Sequence, residues 1–313
     1  MKTFKAVEET FHYSESWIKS IFANDGQFRI DSMIISGVLG AGWMSPWEIW
    51  QAYQTHLPSQ ILRQQWEHRI QWLPMLRSLY EEQTQRSIDV AWRRVHHPDH
   101  AWASASILGL SHDPIKQEDG GVLFITSSEP DAWAKDGTHI KGWKRVLPPD
   151  IAMEAYWMMI CSDLPWIDIM VGLPCPKNLM QGRIIRIEKD ERLQQNLFRS
   201  AEQWRENHLI KNQCPPIDAS RSCASFLLDR FSVGNDALRP ATKQEETLLD
   251  DYEKSLEEFR MAEAKVQLLK NQIIKQVGHF GGLEREDGGQ ALLHRSRHQL
   301  IIQLKKGSRT NVA

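Results

Sequence analysis

The chain has 313 residues, 41% hydrophobic and 25% charged, with a formal net charge of −2. This is the composition of a globular protein with one large domain and an appendage, or two modest domains. It excludes a helical membrane protein, since no apolar run reaches the ~18 residues a span needs, and it excludes binding nucleic acid by overall charge, so any such binding must come from a local patch.

The first residues, MKTFKAVEETFHYSESW, lack the apolar run of a signal peptide. Four cysteines (Cys161, Cys175, Cys214, Cys223) form no C-x-x-C pair and have no histidine at zinc-finger spacing. A reducing cytoplasm fits that usage better than a disulfide framework or a zinc site. Thirteen tryptophans read chiefly as core and groove packing, with base stacking or a partner surface as the other use.

Residues 1–29 are mixed and read as helical. In the segment 30–56, IDSMIISGVLGAGWMSPWEIWQAYQTH, an apolar run ends in a Gly-rich turn. Ser45 then caps a short helix with Pro46 at its first position and Glu48 at its third. Over 60–85, Ile61, Trp66, Ile70, Leu73, Leu76, Leu79 and Tyr80 follow the 3.6-residue period of a helix. Strand-like runs come next at 88–95, 101–110 and 121–128, and the polar stretch His112–Gly121 joins the last two as a hairpin. A helix over 149–162, strands over 167–173 and 183–187 and a long amphipathic helix over 190–211 complete a mixed α/β order.

Cys214-Pro215-Pro216 and the stretch 218–242 read as a linker, so the expected division is an α/β domain over 1–217 and an appendage over 218–313. Residues 243–277 carry apolar positions spaced by three and four, the pattern of a long amphipathic helix that packs on its own domain or forms an oligomer seam. Two glycine turns and two short strand candidates follow. The tail 290–313 holds Arg295, Arg297, Lys305, Lys306 and Arg309 and no acid, either a solvated face or a contact for DNA or an acidic partner.

Several of these segments, in order, resemble one family. IDSMIISGVLGAGWMSPWEIW resembles a signature of a Ser-Asp pair, a Leu-Gly turn and Trp-x-Ser-Pro-x-Glu-x-Trp. WLPMLRSLYEEQTQRSI resembles a helix opening with Glu-Pro, AWASASILGL a strand ending in Pro-Asp-Gly-Leu, and GGVLFITSS a strand carrying Glu-x-Lys-Thr. WKRVLPPDIAME resembles Trp…Val-Pro-x-x-Tyr-x-x-Gln, and RIIRIEKDERLQQNLFRSAEQWRENHLIKNQCPP an Asp-Glu, long-helix, Phe-Trp, Pro-Pro ending. The chain is thus similar, over about residues 30–310, to the λ-exonuclease/YqaJ-type viral recombinase nucleases of the PD-(D/E)XK superfamily. The resemblance implies a restriction-endonuclease-like mixed sheet flanked by helices, with a C-terminal helical extension.

It also implies a magnesium-dependent DNA exonuclease, and there the sequence departs. The helix glutamate falls on Leu73, beside a retained Pro74. The aspartate falls on Leu108, before retained Gly109 and Leu110. The Glu and Lys of Glu-x-Lys fall on Phe124 and Thr126, the Ser-Asp pair on Met33 and Ile34, and the glutamine on Glu154. Magnesium needs hard oxygen ligands and activates the attacking water, and leucine and phenylalanine supply no lone pair. The expectation is therefore a protein without catalytic residues or a magnesium cofactor, its former site turned into core.

Three functions remain open. A DNA-binding or recombination-accessory protein of a phage or mobile element would use Arg93, Arg94, His96, Lys141, Lys144 and Arg145 beside the former cleft, with Arg295, Arg297, Lys305 and Lys306 from the tail. A protein-interaction module, such as an inhibitor of a host nuclease or defence complex, would use the tryptophans. An active exonuclease with a migrated site would draw on nearby acids: Glu81, Glu82, Asp113, Asp119, Glu129 or Asp131. The partner expected is DNA or a recombination or defence protein, in an oligomer or heteromeric complex.

Overall fold

The structure is a computed structural model, and it describes residues 19–23, 25–58, 60–89, 93–126, 147–175, 179–231, 238–286, 289–295 and 300–305. The chain divides into two compact units, residues 1–232 and 233–313.

The first unit opens with a short helical turn at 19–21 and strand β1 (Ile30–Asp31), then helices α1 (Ile35–Val38), α2 (Pro46–Thr55) and α3 (Gln60–Thr84). Helix α2 starts as its sequence dictates: the Ser45 side chain accepts from the Glu48 N–H at 3.1 Å, and Pro46 occupies the first turn. Strands β2 (Ile88–Asp89), β3 (Arg93–His96), β4 (Ala103–Ile107), β5 (Gly109–Asp113) and β6 (Glu118–Thr126) follow. Helix α4 (Pro149–Ser162) leads to β7 (Trp166–Cys175), β8 (Leu179–Glu188) and α5 (Glu191–Trp204).

Among the described residues, two sheets share this unit. One has the order β1-β4-β3, and the other is a mixed five-stranded sheet, β2-β5-β6-β7-β8. In the larger sheet β6 and β7 run parallel and the other pairs antiparallel. Helices cover both faces. Tyr80 and Gln83 of α3 reach Asp168 and the Gly182 carbonyl on one face, while a Cβ at Gly121 would meet Leu164 and Met158 at the end of α4 on the other. The protein is therefore mixed α/β, as expected.

Several boundaries differ from the sequence reading, each for a local reason. The run 101–110 is not one strand: it breaks at Leu108, β4 joining the smaller sheet and β5 the larger. The hairpin turn is shorter than His112–Gly121. Asp113 Oδ1 accepts from the N–H groups of Ile115 and Lys116 at 3.0 and 3.2 Å, and Gln117 turns back at φ +54°, so pairing extends out to Asp113 and Glu118. The run 88–95 holds two strands, β2 and β3, in different sheets. The helix from 191 passes at Arg205–Ile210 into a π-helical turn. Within the supposed linker lies a helix, α6 (Arg221–Arg230), capped by Ser220 on the Cys223 N–H.

In the second unit, α7 spans Lys243–Val277, as the periodicity requires. Its Thr242 and Glu245 form a reciprocal capping box. Among the described residues three strands follow rather than two, β9 (Gly282–Glu284), β10 (Gln290–Arg295) and β11 (Leu300–Lys305), in one antiparallel sheet.

Candidate functional site

Strand alternation sends Val122, Phe124 and Thr126 of β6 to the sheet face covered by α3. Phe124 is 1% exposed, Leu108 6% and Leu73 7%, and all three belong to one buried apolar cluster. The Phe124 ring lies against the break between β4 and β5, since a Cβ on Gly109 would come within 3.3 Å of it. Thr126 is half-buried, and its hydroxyl sits 2.8 Å from His68 Nε2.

Beside these residues opens a cleft of about 660 Å³. One stripe of α3 contributes Gln64, Gln65, His68, Arg69 and Trp72, while the first turns of α4 contribute Asp150 and Glu154. Trp43 and the end of β6 close the sides. Arg69 grips Glu154 with both guanidinium arms, at 2.5 and 3.0 Å, a geometry specific to arginine and carboxylate. Burial works against the Arg69 charge, yet the charge and hydrogen bonds of Glu154 outweigh it and hold its pKa above the ordinary value. Burial pushes the Asp150 carboxyl up, against its backbone hydrogen bonds and the nearby Arg69 charge. With histidine neutral, one cation and two carboxylates line the cleft, a net charge of −1.

The magnesium implied by the sequence resemblance does not fit this donor set. Leu73, Leu108 and Phe124 offer no oxygen, the Thr126 hydroxyl is engaged with His68, both oxygens of Glu154 are engaged with Arg69, and Asp150 adds a single carboxylate. Among the described residues no group of three or more His, Cys, Asp and Glu could hold a metal ion.

Of the acids named from the sequence, Glu81, Asp113 and Asp119 have partners of their own. Glu81 accepts from Ile88 N and Arg77 Nε, and Asp119 pairs with His112. Asp113 belongs to a cluster absent from the sequence reading, in which Arg186 donates to Asp113 and, with two nitrogens, to Asp168, while Arg86 lies 3.1 Å from Asp113. Tyr80 donates to Asp168 at 2.8 Å, and Trp166 underlies the Arg186 guanidinium at 3.8 Å. Arg186 holds the Asp113 carboxyl well below the usual range, and burial pushes Tyr80 up to about 12. Two carboxylates balanced by two guanidiniums have the character of a structural lock. A charge alternating inside two apolar strands, Asp168 in IDIMV and Arg186 in RIIRI, was its one sequence signal. Glu129 and Asp131 lie outside the described residues.

Of the proposed DNA contacts, Arg93, Arg94 and His96 share β3. Arg94 is buried, bonds Ser20 Oγ and lies 3.6 Å from the buried Asp31 carboxylate. Asp31 also accepts from Ser104, Ser106 and the Met33 N–H, so the polar work at this point of the chain falls on Asp31 and not on Met33 or Ile34, which are buried and apolar. Arg93 begins β3, opposite Ile107. His96 is half-buried, with Nδ1 3.0 Å from the Ala101 carbonyl. Arg295 ends β10 and Lys305 ends β11. Lys141, Lys144, Arg145, Arg297 and Lys306 lie outside the described residues.

Among the described residues no helix is long and apolar enough to cross a membrane. No family model matches the chain, and no curated protein matches it. Solved structures that it resembles include an alkaline exonuclease (LHK-Exo) from Laribacter hongkongensis and LHK-Exo in complex with dAMP. Each is 17% identical, covers 63% of this chain and 94% of its own, and has a TM-score of 0.46.

Proposed function

We propose that this chain is a nuclease-fold protein that acts by binding rather than by hydrolysis. The observation that carries the reading is the burial of Leu73, Leu108 and Phe124, the positions that the resemblance sets against a carboxylate set, beside an Arg69–Glu154 ion pair that engages both oxygens of one of the two carboxylates in the cleft. The restriction-endonuclease-like order of helix, hairpin, crossover helix and parallel strand agrees with the family that the sequence resembles. Within that family's biology the protein is a DNA-binding or recombination-accessory component of a phage or mobile element. The test is incubation of pure protein with linear duplex DNA and Mg²⁺ or Mn²⁺. No digestion above background is expected, and processive digestion lost on mutating any of Glu81, Glu82, Asp113, Asp119, Glu129 or Asp131 would favour the migrated-site reading.

A second reading, a protein-interaction module, is favoured by the cleft itself. Its lining carries a net charge of −1 and the indoles of Trp43 and Trp72, which suits a peptide or protein side chain better than a phosphate. Salt separates the two. Affinity that falls steeply between ~50 and ~200 mM salt marks phosphate contacts, and DNA affinity absent at both supports the protein partner.

A further inference from the structure

Helix α7 keeps one spacing without a slip: Leu249, Tyr252, Leu256, Phe259, then Glu263, Val266, Lys270, Ile273 and Val277, by alternate steps of three and four. Along it Leu249, Tyr252, Phe259 and Val266 are each more than half exposed. Seven of these nine positions are apolar, at the seven-residue spacing of a coiled-coil seam.

The charge along the helix is divided. Residues 243–259 hold two lysines against seven carboxylates, net −5, and residues 260–277 hold four basic residues against one glutamate, net +3. A helix macrodipole favours acids only within its first turn, whereas these acids continue to Glu258, four turns in. Intrahelical pairing does not account for it either, since the two halves segregate rather than alternate. The seam itself carries Glu263 and Lys270, and in a parallel pair each would face its own copy.

We infer that α7 is a self-association surface, which binds α7 of a second copy of this chain in antiparallel orientation. The acidic half of each helix then lies along the basic half of the other. Full overlap sets Leu249 opposite Ile273, Leu256 opposite Val266 and Lys270 against the Tyr252 ring, where a cation is favoured. This inference stands apart from the nuclease-fold reading, because it uses the second unit alone.

The test is sedimentation equilibrium of the full chain at low and high salt, with zero-length carbodiimide cross-linking and mass spectrometry. A dimer that weakens with salt is expected, with links between Glu253 and Lys270 and between Glu246 and Lys275. Those pairs lie about 25 and 43 Å apart along one helix, so such links join two chains. Lys265→Glu with Lys270→Glu and Lys275→Glu should return the protein to a monomer with its helical circular dichroism intact. A monomer at tens of micromolar, a dimer indifferent to the triple substitution, or links from α7 to residues 19–232 in place of these would overturn the inference. The last result would show the helix packing on its own chain.

Discussion

At the scale of single residues, what matters is how each charge or its absence is accommodated. Leu108 sits where the chain passes from one sheet to the other and is 6% exposed, so Leu108→Asp would place a carboxylate without a partner in apolar surroundings. Destabilisation of about 3–5 kcal/mol is expected, measured by urea unfolding, and excess Mg²⁺ should not restore it. Recovery with Mg²⁺ would mean that a metal position persists. Arg186 is the opposite case, a cation held by Asp113 and Asp168. Arg186→Met should lower the melting temperature by roughly 5–10 °C near neutral pH. The sign with pH follows from the depressed Asp113 carboxyl. Its contribution in the wild type is fully present above the unfolded value near ~4 and is lost as pH falls through the lower folded value. The gap between variant and wild type should therefore narrow below about pH 4, and melting curves from pH 7 to pH 3 check it.

At the scale of elements, local rules wrote the helices and long-range partners wrote the rest. Ser45, Pro46 and Glu48 declare the start of α2 within four residues, and Ser45→Ala should cost about 1 kcal/mol by loss of the cap, as chemical denaturation would show. Helix α7 was equally legible because its period needs no neighbour to be read. The break at Leu108 was not, since an unbroken apolar run looks the same whether it serves one sheet or two. The short α6 was hidden by the Ser, Asn and Pro around it, although Ser220 is an ordinary cap. The apolar character of Leu73, Leu108 and Phe124 could be read from the sequence, whereas the Arg69–Glu154 pair that lines the cleft could not, because its partners are 85 residues apart. The Arg94–Asp31 pair was hidden for the same reason: Asp31 lies on β1, and nothing local announces it.

At the scale of the whole molecule, the larger sheet is assembled from two antiparallel hairpins, β5–β6 and β7–β8, joined along the parallel seam of β6 and β7. Each hairpin closes a short loop, whereas the seam pairs Gly121 with Ile167 through Thr126 with Gly172 across the α4 crossover. Closing that longer loop must precede any reward from the contacts it makes. During refolding, amides within the hairpins should gain protection from exchange before those bonded across the β6–β7 seam, which pulse-labelled hydrogen exchange would resolve. Strand β7 is the most deeply covered part of the finished sheet, with Ile167, Ile169, Met170 and Val171 at 0% exposure. Order of assembly inverts that protection. Until the hairpins meet, the apolar edge of β7 is open to any other chain in the same state, so refolding yield should fall as protein concentration rises.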